Sequence, residues 1–191
     1  MKKNLLTSFL MTIATTVLLG LIYPLIVTGI SQLLFKDKAN GQIVYRKGEA
    51  IGSRIIAQPF TSPKYFHPRP SAAGNGYDAA NSGGSNLGPT NQKLMDRVRG
   101  DAAALHQQNP SQPVPVDLVT TSASGLDPEI SPAGAAFQVP RIARARGLSE
   151  SVLNDLVRKH TQDRTLGLFG EPRVNVLELN LALDDQAPNS K

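Results

Sequence analysis

A chain of 191 residues with a formal net charge of +5 and no cysteine excludes disulfides, thiolate catalysis and cysteine metal sites. Its three histidines, His67, His106 and His160, are scattered, so no histidine-built metal site is expected. Basic residues alternate with acids and aromatics are few, which leaves no charged stripe or stacking platform for nucleic acid.

From Asn4 to Phe35 the chain runs thirty-two residues without an Asp, Glu, Lys or Arg. About 20 apolar residues in a helix already cross the hydrocarbon core of a bilayer, so residues 1–35 read as an N-terminal segment and one transmembrane helix. Lys2 and Lys3 give a basic start, but the apolar run exceeds that of a signal peptide and no small-x-small cleavage site follows it, so the anchor is expected to be retained. Ser8, Thr12, Thr16, Gly20, Pro24 and Thr28 recur at every fourth position. In lipid, rows of small residues let helices approach closely, so Thr12, Thr16, Gly20, Pro24 and Thr28 are candidates for a helix interface. Pro24 lacks an amide donor and its ring crowds the carbonyl of Gly20, so the span should be disturbed there. No charge lies within the span, which argues against an ion path or proton relay built from this helix alone.

The remainder, residues 36–191, is expected to form one domain. It carries every acid of the chain and all basic residues but Lys2 and Lys3, and is only +3. Counting Lys36, Lys38, Arg46 and Lys47 after the helix against Lys2 and Lys3 before it would keep the domain cytoplasmic, although the rule weakens when a long domain follows.

Gly41 to Gln58 reads as a hairpin, with a strand at Ile43–Tyr45, a turn at Lys47-Gly48-Glu49 and a return strand at Ile51–Ile56. From Phe60 to Asn91 there is almost no periodicity, yet Tyr65, Phe66, Tyr77 and Leu87 are more large apolar groups than a solvated linker carries, so an ordered loop layer is expected. Leu94, Val98, Ala102 and Leu105 define a helix near 90–108, capped by Thr90 or Asn91 and followed by Pro110. Val114–Val119 reads as a short edge strand and Ser122–Pro132 as loop. Ser131 followed by Pro132 then starts a helix. Ala133–Arg146 and Ser149–Thr161 form a helix pair broken at Gly147, with Arg141, Arg144 and Arg146 near the C-terminus of the first, where cations suit the dipole, and His160 at the end of the second. Leu177, Leu179, Leu181 and Leu183 recur at period two, predicting a strand over Val174–Leu183 that turns helical near its end, before a polar, frayed tail beyond Asp184.

Chemical motifs are weak. Asn81-Ser-Gly-Gly-Ser-Asn86 can present amides to an anion but lacks the lysine and preceding strand of a phosphate loop. Ser122-Ala-Ser-Gly125 lacks the first glycine of a nucleophile elbow. Asp127 and Glu129 fall short of a calcium site, and turn chemistry accounts for Asp127.

Five motifs in order carry a resemblance: Tyr65-Phe-His-Pro-Arg-Pro-Ser71, Ser82-Gly-Gly-Ser-Asn-Leu87, Ser122-Ala-Ser-Gly-Leu-Asp-Pro128 with Ile130-Ser-Pro132, Gln138-Val-Pro-Arg-Ile-Ala-Arg-Ala-Arg-Gly147 and Gly170-Glu-Pro-Arg-Val-Asn-Val-Leu177. Together with the preceding anchor, they resemble the KdpC family, the C subunit of a bacterial high-affinity potassium-transporting P-type ATPase, over nearly the whole chain. The resemblance implies a single-pass protein of the inner (cytoplasmic) membrane, with one α/β (α+β) domain of long ordered loops on the extracytoplasmic side. Its implied partners are a channel-like potassium-binding subunit, a P-type ATPase subunit and a small membrane peptide. It implies no catalytic residue here, because the phosphorylated aspartate belongs to the ATPase subunit. The family is also described as a catalytic chaperone that raises the ATP affinity of the pump, which links Ser82, Gly83, Gly84, Ser85 and Gln138 to nucleotide. A domain outside the membrane cannot meet cytosolic ATP, so any ATP would act through the complex. The favoured reading is a structural subunit whose loops, through Arg69, Ser71, Tyr77, Asn81, Asn86 and Asp127, face the channel-like partner. The alternative is an anchored solute- or nucleotide-binding module acting alone.

Overall fold

The computed structural model describes residues 1–186; the tail expected to fray lies for the most part outside the described residues. Lys2–Leu34 is one continuous apolar helix, long enough to cross a membrane, with none of its hydrophobic window buried by the rest of the chain. It has three parts: α1 (Lys2–Val17), a π turn over Leu18–Ile22 and α2 (Tyr23–Leu34). The π turn falls just before Pro24. The Tyr23 amide reaches back to the Leu18 carbonyl, which is how the helix accommodates the donor that Pro24 lacks.

A short helix, α3 (Lys36–Ala39), joins the anchor to an α+β domain. There β1 (Ile43–Arg46) and β2 (Glu49–Ser53) form the expected antiparallel hairpin, with a bulge between Val44 and Tyr45. Lys47 and Gly48 both take positive φ, the geometry of a two-residue turn whose twist matches the strands. The chain then runs from residue 54 to 91 without regular structure before α4 (Gln92–Gln108), whose first turn is capped by Asn91 through the Lys93 amide at 2.9 Å.

Two expectations are corrected here. Val114–Val119 is not a strand: Val116–Leu118 is a 3₁₀ turn. The Asp117 carboxylate accepts from the Ser131 amide at 2.7 Å and from its hydroxyl at 3.1 Å, folding this stretch onto the next helix start instead of a sheet edge. The strand over Val174–Leu183 is confined to β5 (Arg173–Asn175), after which α7 (Val176–Gln186) takes over, running past Asp184 where fraying was expected. Asn175 provides the switch, its side chain accepting from the Glu178 amide at 3.1 Å. Val176, Leu179, Asn180 and Leu183 are buried at helical spacing, so the period-two leucines were a coincidence.

Between these lie β3 (Glu129–Ile130), α5 (Pro132–Arg146), α6 (Glu150–His160) and β4 (Thr161–Gln162). Ser131 caps α5 through the Gly134 amide at 2.9 Å, with Pro132 in the first turn. Gly147 ends it in the left-handed conformation, as the sequence reading has it. The strands make a three-stranded antiparallel sheet in the order β3-β5-β4. Its core joins Phe66 from the irregular segment with Val139 and Ile142 of α5, Leu153 of α6, Val174 of β5 and Leu179 and Leu183 of α7. A loop residue with no exposed surface at the centre of the core means that the segment from 59 to 91 is part of the fold.

Candidate functional site

Two buried side-chain amides clamp the irregular segment from opposite helices. Asn180 of α7, 1% exposed, accepts from the Phe66 amide at 2.8 Å and donates to the Phe66 carbonyl at 2.9 Å. Gln138 of α5, 4% exposed, repeats the motif one residue later, accepting from the His67 amide at 2.8 Å and donating to the His67 carbonyl at 3.1 Å. Each amide imitates a neighbouring strand, satisfying backbone groups that burial would otherwise orphan. Gln138 also donates to the Gly134 carbonyl and accepts from Arg141, so its donors and acceptors are fully engaged within the chain.

Arginines extend the grip. Arg141 donates to the carbonyls of Pro63 at 2.7 Å and Tyr65 at 3.0 Å, and Arg146 to that of Lys64 at 2.7 Å. Arg146 also pairs with Asp184 and lies 4.7 Å above the Tyr65 ring, whose hydroxyl donates to the same carboxylate. These cations hold a loop rather than only complementing a helix dipole. Burial lowers the Arg141 guanidinium to about 10. It lowers His67 as well, with Arg141 adding to the effect and a hydrogen bond to the Ser62 carbonyl opposing it.

Beyond His67 the chain enters a second layer built from the two stretches marked in the sequence. Arg69 pairs with Asp127 at 3.0 Å and donates to the carbonyls of Thr120 and Thr121, so its planar fork is engaged inside the chain. The Ser71 hydroxyl donates to the Gly125 carbonyl at 2.6 Å and accepts from the amides of Ala73 and Tyr77, while the Tyr77 hydroxyl donates to the Arg69 carbonyl. Asp127 also accepts from the Glu129 amide, the turn chemistry expected of it, and Glu129 pairs with Arg173. Asn81 donates to Asp78, whose other oxygen makes the local turn by accepting from the Ala80 amide. Asn86 adopts positive φ.

The glycine cluster is equally engaged. Ser82 and the Gly83 amide both donate to the Ser124 carbonyl, at 3.0 and 2.8 Å. A Cβ on Gly84 would stand 3.0 Å from the Ala123 carbonyl oxygen, and one on Gly125 2.5 Å from that of Gly83. The two loops are therefore laced at van der Waals distance. Gln138 lines a cavity of about 360 Å³ with Phe60, His67, Tyr77, Leu105 and Arg141, and residues 82–85 are not part of its wall.

The anchor row is different. Thr12, Thr16, Gly20, Pro24 and Thr28 lie wholly on exposed helix. Ser8 and Thr12 donate to carbonyls one turn back, within their own helix. Sequence reasoning missed Asn180 and the loop-binding role of Arg141 and Arg146; the one available signal was an asparagine standing among leucines.

The chain thus sets an apolar helix, long enough to cross a membrane, before an α+β domain in which buried amides and arginines hold irregular loops, and among the described residues no group of three or more His, Asp or Glu could hold a metal ion. The family model for KdpC, the K⁺-transporting ATPase c chain, matches residues 5–185. The chain is 67% identical over 188 residues to the potassium-transporting ATPase KdpC subunit of Koribacter versatilis, covering 98% of this chain and 97% of that one. It is 55% identical to the subunit of Acidobacterium capsulatum, covering 95% and 98%, and 54% identical to that of Methylobacterium nodulans, covering 98% and 99%. The chain belongs to the KdpC family and is a subunit of the ATPase, not its catalytic chain.

Proposed function

We propose that this chain is the non-catalytic subunit of an ATP-driven high-affinity potassium uptake pump, spanning the inner (cytoplasmic) membrane once with residues 36–191 on the extracytoplasmic side. It stabilises the complex by presenting the laced surface of residues 65–87 and 122–132 to the channel-like subunit. The P-type ATPase subunit and the small membrane peptide complete the assembly, and the row from Thr12 to Thr28 is the face on which the anchor meets a partner helix.

The observation that carries this reading is the lacing itself. Arg69, Ser71 and Gly125 set these loops before any partner arrives, so docking need not order them. Preorganised loops suit a positioning role. Any rise in the ATP affinity of the ATPase subunit is then transmitted through the complex, since a nucleotide contact at Gln138 would have to displace the clamp on His67.

Orientation is tested by a single cysteine. Ser190, in the polar tail, lies outside the described residues, whereas Ala103 is exposed on α4. Ala103→Cys reacts with an impermeant thiol reagent in intact spheroplasts if the domain is outside; reaction only after lysis overturns that side. Purification from native membranes separates this reading from a lone solute-binding module, which would come without the other pump subunits.

A further inference from the structure

Between β4 and β5 the chain makes a tip that the sequence reading passed over. Thr165 and Phe169 bridge, each amide donating to the other's carbonyl, at 2.8 and 2.9 Å. The Gly167 and Leu168 amides close the turn onto the carbonyls of Arg164 and Thr165, and Arg164 pairs with Glu171 across the base at 2.6 Å. The tip is thus a formed structure, yet Leu166, Leu168 and Phe169 are 84%, 75% and 65% exposed. Leu166 holds φ at +55°, a strained conformation for a bulky residue, which keeps a leucine at the apex where glycine would sit without cost.

Its place in the fold suggests what covers it. Gln162, where the tip departs, lines one cleft with Asn175, Arg54 and Gln42. Arg54 pairs with Asp37 of α3 at 3.2 Å, and Asn40 bonds back to Gln32 in the last turns of α2. The stem of the tip therefore stands near the end of the anchor. At its stem Arg164 and Arg173 are paired with Glu171 and Glu129, so the stem carries little net charge to oppose approach to a headgroup layer. A convex knob of two leucines and a phenylalanine, on a stem near the exit of an apolar helix, matches the bilayer interface better than it matches a groove-binding peptide.

We infer that Leu166, Leu168 and Phe169 insert into the interface of the membrane that the anchor spans, giving the domain a second lipid contact that fixes its tilt. This rests on the anchor reading above.

The chain has no tryptophan, so Phe169→Trp or, at an independent position, Leu168→Trp gives a single reporter. The full chain is reconstituted in phosphatidylethanolamine and phosphatidylglycerol vesicles, with and without lipids brominated on their acyl chains, and floated on a density gradient. The expected result is flotation, emission blue-shifted from that of the urea-unfolded chain, and quenching by the bromines. Emission that stays red-shifted and unquenched in floated vesicles overturns lipid insertion alone. Loss of flotation overturns the anchor reading and this inference with it. A blue shift without bromine quenching that appears only with the other pump subunits present also overturns it, and assigns the tip to a protein partner.

Discussion

The anchor and the loop layer carry many of the same small and polar residue types and dispose of them in opposite ways. In the anchor, Ser8 and Thr12 bond only within their own helix, and no side chain of Lys2–Leu34 is buried. In the loop layer, Arg69, Ser71 and Tyr77 are bonded, within the layer and across more than fifty residues of sequence, and glycines sit where a methyl group would collide. The contrast teaches where a partner is needed: the anchor's small-residue row has nothing to pack against in its own chain, whereas the loops are already supported and can offer only their outer edge.

The comparison breaks most visibly at the clamps. Asn180→Leu leaves the Phe66 amide and carbonyl buried without partners, each worth about 1–3 kcal/mol. Roughly 2–6 kcal/mol of stability should disappear in urea unfolding of the full chain in detergent, and an unchanged midpoint would remove the clamp from the account. Gly125→Ala attacks the lacing. Its φ of +67° and the Gly83 oxygen both resist a side chain, so a loss of about 1–3 kcal/mol is expected, with residues 71–83 exchanging faster than before. A variant as stable as the parent would show that the loops do not need their close approach.

His67 sharpens the contrast through pH. Its imidazole is held below the ordinary value by burial, so the unfolded chain binds the proton more readily. The stability it contributes is complete above the unfolded value near 6.5 and is lost as pH falls toward the lower folded value. His67→Gln should flatten the unfolding midpoint between neutrality and mildly acid pH relative to the parent; identical slopes would contradict the assignment.

The smallest effect on the chain itself belongs to the anchor. Gly20→Leu should leave domain unfolding unchanged and weaken assembly with the other subunits in detergent by about 1–2 kcal/mol. If leucine at both Thr16 and Gly20 leaves assembly intact, the row is not an interface.

The sequence made the anchor, the first hairpin, α4 and the α5–α6 pair legible because each follows one local rule: hydropathy, turn chemistry, or apolar spacing with a cap. Asn91, Ser131 and Gly147 each announce a helix end. What stayed hidden depends on contacts distant in sequence. Asn180 puts a polar group on the apolar face of α7, breaking the helical period and leaving Leu177, Leu179, Leu181 and Leu183 to mimic a strand; its purpose is visible only once Phe66 is beside it. Val116–Leu118 turns because Asp117 is drawn to Ser131. Arg141 and Arg146 obey the dipole rule for helix ends, which concealed their grip on Pro63, Lys64 and Tyr65.

Hydrogen exchange of residues 65–87, in the lone chain and in the assembled pump, tests the central claim most directly. The Tyr77 and Gly83 amides, bonded to the Ser71 hydroxyl and the Ser124 carbonyl, should already be slow in the lone chain, while the amides of Gly74, Asn75, Ala79 and Ser82, in exposed stretches and without an acceptor among the described residues, should slow only on assembly. Rapid exchange at Tyr77 and Gly83 in the lone chain would make the layer a linker, and exposed stretches that exchange equally fast in both states would leave a laced surface with no docking role.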